Sequence, residues 1–180
     1  TSDNGRAVWN DTLARNTQLT SLASLNDIAG SPIIDRGLVF AISHAGLFAA
    51  IDIRTGQRVW EAPIAGVETP WVAGDYIFVV SVDGDLVCLT REQGAVVWVS
   101  KLPRYHTPKK HKGRIAWSGP VLAGGNLLLV STEGVIVKVS PQDGSIVKKK
   151  KVGKGFSIGP IVADQTIYLL SEKGELIALK

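Results

Sequence analysis

The 180-residue sequence has one cysteine, three histidines and no methionine. The scarcity of cysteine excludes several classes of protein. A single cysteine, Cys88, excludes an internal disulfide framework and any zinc site that needs several cysteines. No apolar run approaches the ~18 residues of a membrane-spanning helix, so we predict no such helix. The start, Thr1-Ser2-Asp3, resembles neither a native initiation site nor a signal peptide. We therefore expect a fragment whose targeting segment lies upstream.

Eleven of the 20 lysines and arginines lie in two runs, although the net charge is only +4. The first run contains no acid, and its members are Lys101, Arg104, His106, Lys109, Lys110, His111, Lys112 and Arg114. The second consists of Lys148, Lys149, Lys150, Lys151 and Lys154. Such a surface attracts acidic proteins, anionic lipid headgroups or nucleic acid. Because no stacking aromatic residues alternate with these charges, we predict that nucleic acid is not a partner.

The spacing of turn residues reveals four copies of one repeat. Gly46, Gly84, Gly134 and Gly174 are separated by 38, 50 and 40 residues, and Pro32, Pro70, Pro120 and Pro160 repeat these intervals. A period near 40 residues is typical of propellers and solenoids.

Within each repeat, glycine-containing turns separate short runs of β-branched and aromatic residues, which is the pattern of antiparallel hairpins. In the first full copy these runs are Ser31–Ile34, Leu38–Ser43, Leu47–Ile53 and Arg58–Trp60. The third run of a repeat is apolar on both faces, so each sheet should lie between two others. The sequence therefore predicts an all-β fold: a β-propeller segment of about four four-stranded antiparallel blades, half of an eight-bladed ring.

We expect residues 1–180 to form a single propeller segment, with blades at 31–62, 69–101 and 119–152. Residues 159–180 would supply three strands of the last blade. Residues 1–10 are predicted to be the outer strand of a preceding blade, because Asn4–Trp9 matches Thr55–Trp60. Three arrangements remain open: a four-bladed ring closed by that strand, an open half-ring, and self-association of two chains through open blade edges.

The repeat resembles the quinoprotein-like (PQQ-like) repeat, as in DGDLVCL at Asp83–Leu89 and QGAVVW at Gln93–Trp98. Within that group, the chain resembles the C-terminal half of the BamB family of outer-membrane assembly lipoproteins. The matching stretches are LNDI at Leu25–Ile28, AAIDIRTGQ at Ala49–Gln57 and GELIALK at Gly174–Lys180. In its long basic insertion around Lys109, the chain departs from the better-known enterobacterial members of the family.

This resemblance implies an eight-bladed ring closed by an N-terminal strand. It also implies a non-catalytic, lipid-anchored scaffold on the periplasmic side of the outer membrane. Such a scaffold binds the periplasmic (POTRA) domains of BamA during β-barrel insertion, with other assembly-complex lipoproteins as possible partners. Membrane contact would then come only through a lipid anchor that this chain does not contain.

Three tryptophans, Trp9, Trp60 and Trp98, each follow a turn glycine by four residues, and Lys148 takes the fourth equivalent position. We expect each indole to dock its blade on the next one, because an indole buries a large surface while its N–H bonds a carbonyl.

Two connections between blades, residues 10–30 and 99–119, are much longer than the others and should emerge on one face. Insertions on one face of a repeat protein often mark its binding side. The first contains Leu25, Asn26 and Asp27, and the resemblance places Asp27 at an acidic position that contacts BamA. The alternative is that Asp27 only caps a turn. The second connection contains Arg104, Tyr105, Lys109, Lys110 and Lys112. It would bind an acidic partner or phosphate headgroups, or else be a solvated loop.

Enzyme chemistry is not predicted. A quinone-dependent dehydrogenase needs an oxygen cage for calcium, a catalytic aspartate and usually a vicinal cysteine pair. One cysteine cannot supply the pair, and Asp52, Asp83 and Asp143 fall in repeat turns. We therefore expect no cofactor and no metal. The alternatives kept open are a fragment of a PQQ-dependent dehydrogenase and a propeller that binds anions or a membrane surface.

Overall fold

The computed structural model describes residues 5–13 and 30–180 and is built almost entirely from antiparallel β-strands. In every sheet of three or more strands, the order in space follows the order in sequence. Blade 1 contains β1 (Ile33–Asp35), β2 (Leu38–Ile42), β3 (Phe48–Asp52) and β4 (Arg58–Ala62). Blade 2 contains β5 (Trp71–Ala73), β6 (Tyr76–Val80), β7 (Asp85–Thr90) and β8 (Val96–Lys101).

A short hairpin then precedes the second half of the chain, with strands β9 (Tyr105–Thr107) and β10 (Lys112–Arg114). Blade 3 contains β11 (Trp117–Ala123), β12 (Asn126–Ser131), β13 (Val135–Val139) and β14 (Ile146–Lys151). Blade 4 has three strands, β15 (Ile161–Ala163), β16 (Thr166–Leu170) and β17 (Leu176–Leu179). The predicted all-β propeller segment is confirmed. Among the described residues, no helix is long and apolar enough to span a membrane.

Residues 5–13 differ from the prediction. The outer strand expected at 1–10 is not formed in its described part, residues 5–10, which pair with no strand. A strand is held by ladder hydrogen bonds to a neighbour, and within residues 5–13 and 30–180 no third strand of a preceding blade lies beside this segment. Trp9 and Leu13 nevertheless pack on blade 1. This segment therefore covers blade 1 and does not close blade 4.

The hydrophobic core lies between neighbouring blades. Phe40, Phe48 and Trp60 of blade 1 pack against Ile77 and Leu89 of blade 2. The rings of Phe48 and Trp60 meet edge-on, with centroids 5.3 Å apart. Equivalent clusters join blades 2 and 3 and blades 3 and 4. Each such side chain contributes about 1.5–3 kcal/mol of hydrophobic stabilisation, so the blade interfaces, more than the single sheets, hold the fold.

Cys88 lies in the cluster between blades 2 and 3 and is 1% exposed. Burial raises the pKa of its thiol to about 11. The thiol is therefore protonated at neutral pH, which makes it a small apolar filler and not a nucleophile.

All described connections between blades emerge on one side of the propeller, which we call the connection face. There they hydrogen-bond to the turns between the second and third strands of each blade. Val82 N donates to Ala65 O at 2.9 Å, Leu102 N to Gly84 O at 3.1 Å and Val152 N to Gly134 O at 2.8 Å. Gly134 has φ 73°, and a side chain there would collide with the backbone of Gly153. The connections are thus fixed parts of the fold.

Candidate partner-binding face

The connection after β8 folds into a second, separate sheet. In this segment, residues 104–115, which we call the basic hairpin, Lys112 pairs with Thr107 and Arg114 with Tyr105. A 3₁₀ turn at Pro108–Lys110 reverses the chain, and His111 closes it in the left-handed conformation at φ 47°. The rings of Tyr105 and His111 contact each other at a tilt of 41°, with centroids 5.1 Å apart. Residues expected to lie on a long connection are therefore ordered as a β-hairpin.

The base of the basic hairpin is bound to blade 2 at several points. Arg104 forms an ion pair with Asp85 at 2.8 Å, and an Arg114 Nη donates to Val82 O at 2.6 Å. Ile115 N donates to Arg104 O at 2.9 Å and thereby ties the two ends of the hairpin together. The indole of Trp117 donates to Pro103 O at 2.9 Å. These contacts hold the hairpin in a defined position.

The tip of the basic hairpin carries the positive charge. Lys109, Lys110 and Lys112 are exposed, and none of them forms an ion pair within residues 5–13 and 30–180. Closer to blade 3, His106 Nδ1 lies 3.5 Å from a carboxylate oxygen of Glu133. The structure thus brings Arg104, Tyr105 and the three lysines together on one projection. Arg104 pairs with Asp85 at its base and the ring of Tyr105 packs against His111, whereas the lysines are exposed to solvent.

The other predicted contact residues, Leu25, Asn26 and Asp27, lie outside the described residues.

The sequence did not reveal the ion pair that anchors the beginning of the first long connection. Asp11 accepts from Arg58 at both oxygens, at 2.6 and 2.7 Å, and Arg58 also pairs with Glu61 at 2.8 Å. Hydrogen bonds from Arg58 lower the pKa of Asp11, and Asp11 in turn raises the pKa of Arg58. The partners are 47 residues apart. No local motif could have indicated this contact.

The tryptophans form a repeated contact. Each indole donates to a carbonyl in the next blade's last turn: Trp9 to Ile53 O at 2.8 Å, Trp60 to Arg91 O at 2.9 Å and Trp98 to Pro141 O at 3.1 Å. The same indoles lie against the turn glycines Gly56, Gly94 and Gly144, where an added Cβ would come within 2.5–2.6 Å of the ring. Trp9 makes this contact although it lies in no strand.

Two grooves flank the base of the basic hairpin on the connection face. The outer one, about 390 Å³, lies between the edges of blades 1 and 2 and is lined by Pro63, Ile64 and Val99, among others. The inner one, about 280 Å³, is lined by His44, Glu68, Arg114 and Trp117, among others. Burial raises the pKa of Glu68, although its carboxylate accepts a hydrogen bond from Gly119 N at 3.2 Å.

The described residues do not suit a bound metal ion. Within 5–13 and 30–180, no three His, Cys, Asp or Glu side chains converge in a way that could hold a metal ion. Asp52 and Asp143 accept hydrogen bonds from their own turns, from Thr55 N at 2.9 Å and from Ser145 N at 3.0 Å, which lowers the pKa of each. They are therefore used as turn caps.

Comparison with known proteins agrees with this architecture. The family model described as outer membrane protein assembly factor BamB matches residues 1–100 and 104–180. The chain belongs to this family. The three unmatched residues, 101–103, immediately precede the basic hairpin. The chain is 28% identical to the outer membrane protein assembly factor BamB of Escherichia coli K12 over 178 residues, which are 98% of this chain and 43% of that protein.

Solved structures share the fold of this chain. BamB from Moraxella catarrhalis superposes with a TM-score of 0.72 at 21% identity, over 84% of this chain and 44% of that one. Quinohemoprotein alcohol dehydrogenase from Comamonas testosteroni gives 0.64 at 15% identity, over 81% of this chain and 29% of that one. At such identities a match shows the fold alone. The chain spans less than half the length of the BamB proteins that it matches.

Proposed function

We propose that this chain is part of a non-catalytic scaffold that helps to assemble outer-membrane proteins. Its membership of the BamB family supports this proposal, because its relatives are named assembly factors. The observation that carries it is a rigidly based, positively charged hairpin on the face where the connections emerge. A stack of sheets that holds such a projection in place is suited to binding another protein.

The partner that we propose is the periplasmic (POTRA) part of BamA, on the periplasmic side of the outer membrane, with other assembly-complex lipoproteins as further partners. The contact would use the first connection, with Leu25, Asn26 and Asp27, and the basic hairpin, with Lys109, Lys110 and Lys112. Exposed lysines accelerate association with an acidic partner. Their contribution weakens as salt rises, because at 0.1 M salt exposed charges more than ~10 Å apart are largely screened from each other.

The test is a titration of the chain against purified periplasmic domains of BamA. Three variants are compared with wild type: Asp27→Arg, a triple Lys→Glu change at Lys109, Lys110 and Lys112, and a matched triple Lys→Glu change at Lys148, Lys149 and Lys150. The last alters charge equally but on the outer strand β14. We expect saturable binding by wild type. Asp27→Arg or the hairpin variant should weaken this binding at least tenfold, about 1.4 kcal/mol, whereas the β14 variant should bind as wild type does.

Equal loss in both lysine variants would show attraction by net charge only, and would contradict a specific hairpin contact. Absence of binding by folded wild type would contradict the proposal for this chain. Repeating the titration with the intact parent protein would then show whether residues outside this chain are needed.

A second candidate function, binding to an anionic surface, is favoured by the three tip lysines, which have no ion pair among the described residues. It predicts salt-sensitive binding to vesicles that contain 30% phosphatidylglycerol and none to neutral vesicles, at roughly 1 kcal/mol per lysine near the surface. The hairpin lysine variant should lose this binding. Vesicle binding without BamA binding would favour this function over the scaffold.

We propose no enzyme activity, although the fold is shared with a quinohemoprotein alcohol dehydrogenase. Titration with calcium and the quinone cofactor checks this. Saturable quinone binding or dye-linked alcohol oxidation would contradict the scaffold proposal.

A further inference from the structure

The outer strand of each complete blade has one edge without a strand partner among the described residues: β4, β8 and β14 are each last in their sheets. The unpaired N–H and C=O groups of such an edge are a template for another extended chain, and charged side chains normally protect it. Strand β14 carries Lys148, Lys149, Lys150 and Lys151. Strand β4 carries Arg58 and Glu61, which are held in an ion-pair network with Asp11. These two edges are protected.

Strand β8 lacks this protection. Its sequence is VVWVSK, with a single charge at its end, Lys101. Val96, Val97 and Val99 are 56, 47 and 49% exposed. The outer strand of blade 2 therefore presents three half-exposed apolar side chains beside an unpaired backbone edge.

The repeat itself shows that Val99 is unusual. Trp60, Trp98 and Lys148 oppose equivalent residues of the third strand in blades 1, 2 and 3. The position that follows each of them is occupied by Glu61, Val99 and Lys149. Two blades have a charge where blade 2 has a valine. Val99 pairs with Val87 and so faces the groove between blades 1 and 2.

That groove has room for further side chains. It measures about 390 Å³, and its apolar lining includes Pro63, Ile64, Val82, Val87, Val96 and Val99. The groove runs beside the strand whose backbone edge is open. An extended segment that paired with β8 would direct alternate side chains to this side, because side chains in a strand alternate between faces.

The charges of the groove are all of one sign. Glu61, Asp83 and Asp85 line it, and no basic residue among the described ones does. Glu61 pairs with Arg58 and Asp85 with Arg104, whereas exposed Asp83 has no ion pair within the described part of the chain. A segment with a basic residue beside its apolar ones would complement this lining.

We propose that the open edge of β8 and the adjoining groove bind an extended, strand-forming segment of another protein, with apolar side chains at alternate positions and a basic residue at one end. The segment would add a fifth strand to blade 2. Main-chain hydrogen bonds would give affinity, and the groove would select the side chains. This inference deepens the proposed function, since it names the kind of polypeptide that an assembly factor would hold, and it uses a surface other than the basic hairpin.

The probe is a fluorescein-labelled peptide, Lys-Thr-Val-Thr-Val-Thr-Val-Thr-Lys, measured by fluorescence anisotropy with the full chain. We expect saturable binding. A peptide with proline at the third and seventh positions should not bind, because proline removes a ladder donor and is excluded from paired strands. Replacing both lysines with glutamate should weaken binding.

The variant Val99→Lys gives β8 the charge that its counterparts carry, and we expect at least a tenfold loss of affinity. The matched control is Val147→Lys, the same change on β14, which should bind as wild type does. Both valines are about half exposed, so both variants should keep wild-type circular dichroism and melting. Peptide binding should also slow amide hydrogen exchange in β8 and leave that in β14 unchanged.

No saturable binding by folded wild type would overturn the proposal, as would equal affinity of Val99→Lys and wild type. Dimerisation that Val99→Lys abolishes, without peptide binding, would show that the occupant is a second copy of the chain. The experiment contains no BamA, so its outcome can be distinguished from failure of the proposed function.

Discussion

The contact between an indole and a turn glycine occurs three times: between Trp9 and blade 1, and at the junctions of blades 1 and 2 and of blades 2 and 3. The chain around it differs each time. Glycine is required because the neighbouring ring occupies the place of a Cβ. The indole is required because only its N–H reaches the turn carbonyl while the rings cover the neighbouring blade. At the fourth equivalent position, Lys148 is exposed, and the cluster between blades 3 and 4 depends on Phe156 and Leu169 instead. The docking role of these tryptophans remains a proposal that mutation can test.

Trp60→Ala should reduce the free energy of unfolding by about 3–5 kcal/mol, because Trp60 is 9% exposed and contacts both Phe40 and Phe48. Trp60→Phe keeps most of the buried surface and should cost less. Urea unfolding measures both values. Val59→Ala, on the same strand at 52% exposure, is the control and should change stability by less than about 0.5 kcal/mol.

Asp11→Asn tests the ion pair with Arg58. Hydrogen bonds from Arg58 lower the pKa of Asp11 in the folded chain. The ion pair therefore contributes its full stabilisation at pH values above the ordinary carboxyl pKa, and this stabilisation is lost as pH falls from there through the lowered pKa of Asp11. We expect the variant to be less stable than wild type by about 1.5–3 kcal/mol at pH 7, with the difference shrinking as pH falls below ~4. Urea unfolding across pH measures this, with Asp83→Asn as control. A difference independent of pH would refute the ionic explanation.

At the scale of elements, the basic hairpin is a small sheet that could not persist alone, since isolated two-stranded hairpins are at best marginally stable in water. Its order comes from contacts at its base. Arg104 and Arg114 contact Asp85 and Val82 of blade 2, and Trp117 donates to Pro103 O, just before the hairpin. This explains how a run rich in like charges can be structured. Repulsion among the lysines is tolerated because they lie at the exposed tip.

Arg104→Met should loosen this hairpin without unfolding the propeller. The ion pair with Asp85 is partly exposed, with Arg104 at 42%, so we expect little change in global stability. The amide of Ile115, which donates to Arg104 O, should exchange with deuterium several-fold faster. Lys110→Met, at the tip, is the control. Unchanged exchange at Ile115 would mean that the backbone contacts alone hold the hairpin.

At the scale of the molecule, each blade contacts only its neighbours, so stability is shared out along the chain as in other repeat proteins. Blades 2 and 3 are covered on both faces. Among the described residues, blade 4 is covered on one face only, and Ile161 and Leu176 on its other side are 65 and 71% exposed. In this chain the last blade is therefore the least supported.

Amide hydrogen exchange should consequently be slower in β12 than in β16 by on the order of tenfold or more. Leu127–Val130 in β12 are at most 1% exposed, and their amides should open only with the whole fold. Mass spectrometry of the exchanged chain measures this gradient. Equal protection of the two strands in dilute solution would show that blade 4 is supported as well as its neighbours are.

The amino-acid sequence alone determined the repeat and the strands of the four blades, because turn glycines and runs such as Leu86–Leu89 act over a few residues. It also located the tryptophans whose indole N–H groups donate to a turn carbonyl of the neighbouring blade. Only the tertiary structure decided that the basic run forms a hairpin, that Asp11 pairs with Arg58, and that Val99 lies beside an open groove. These features depend on residues 19 and 47 positions apart and on the gap between two sheets. No local pattern encodes such distances, since they arise only when the blades pack.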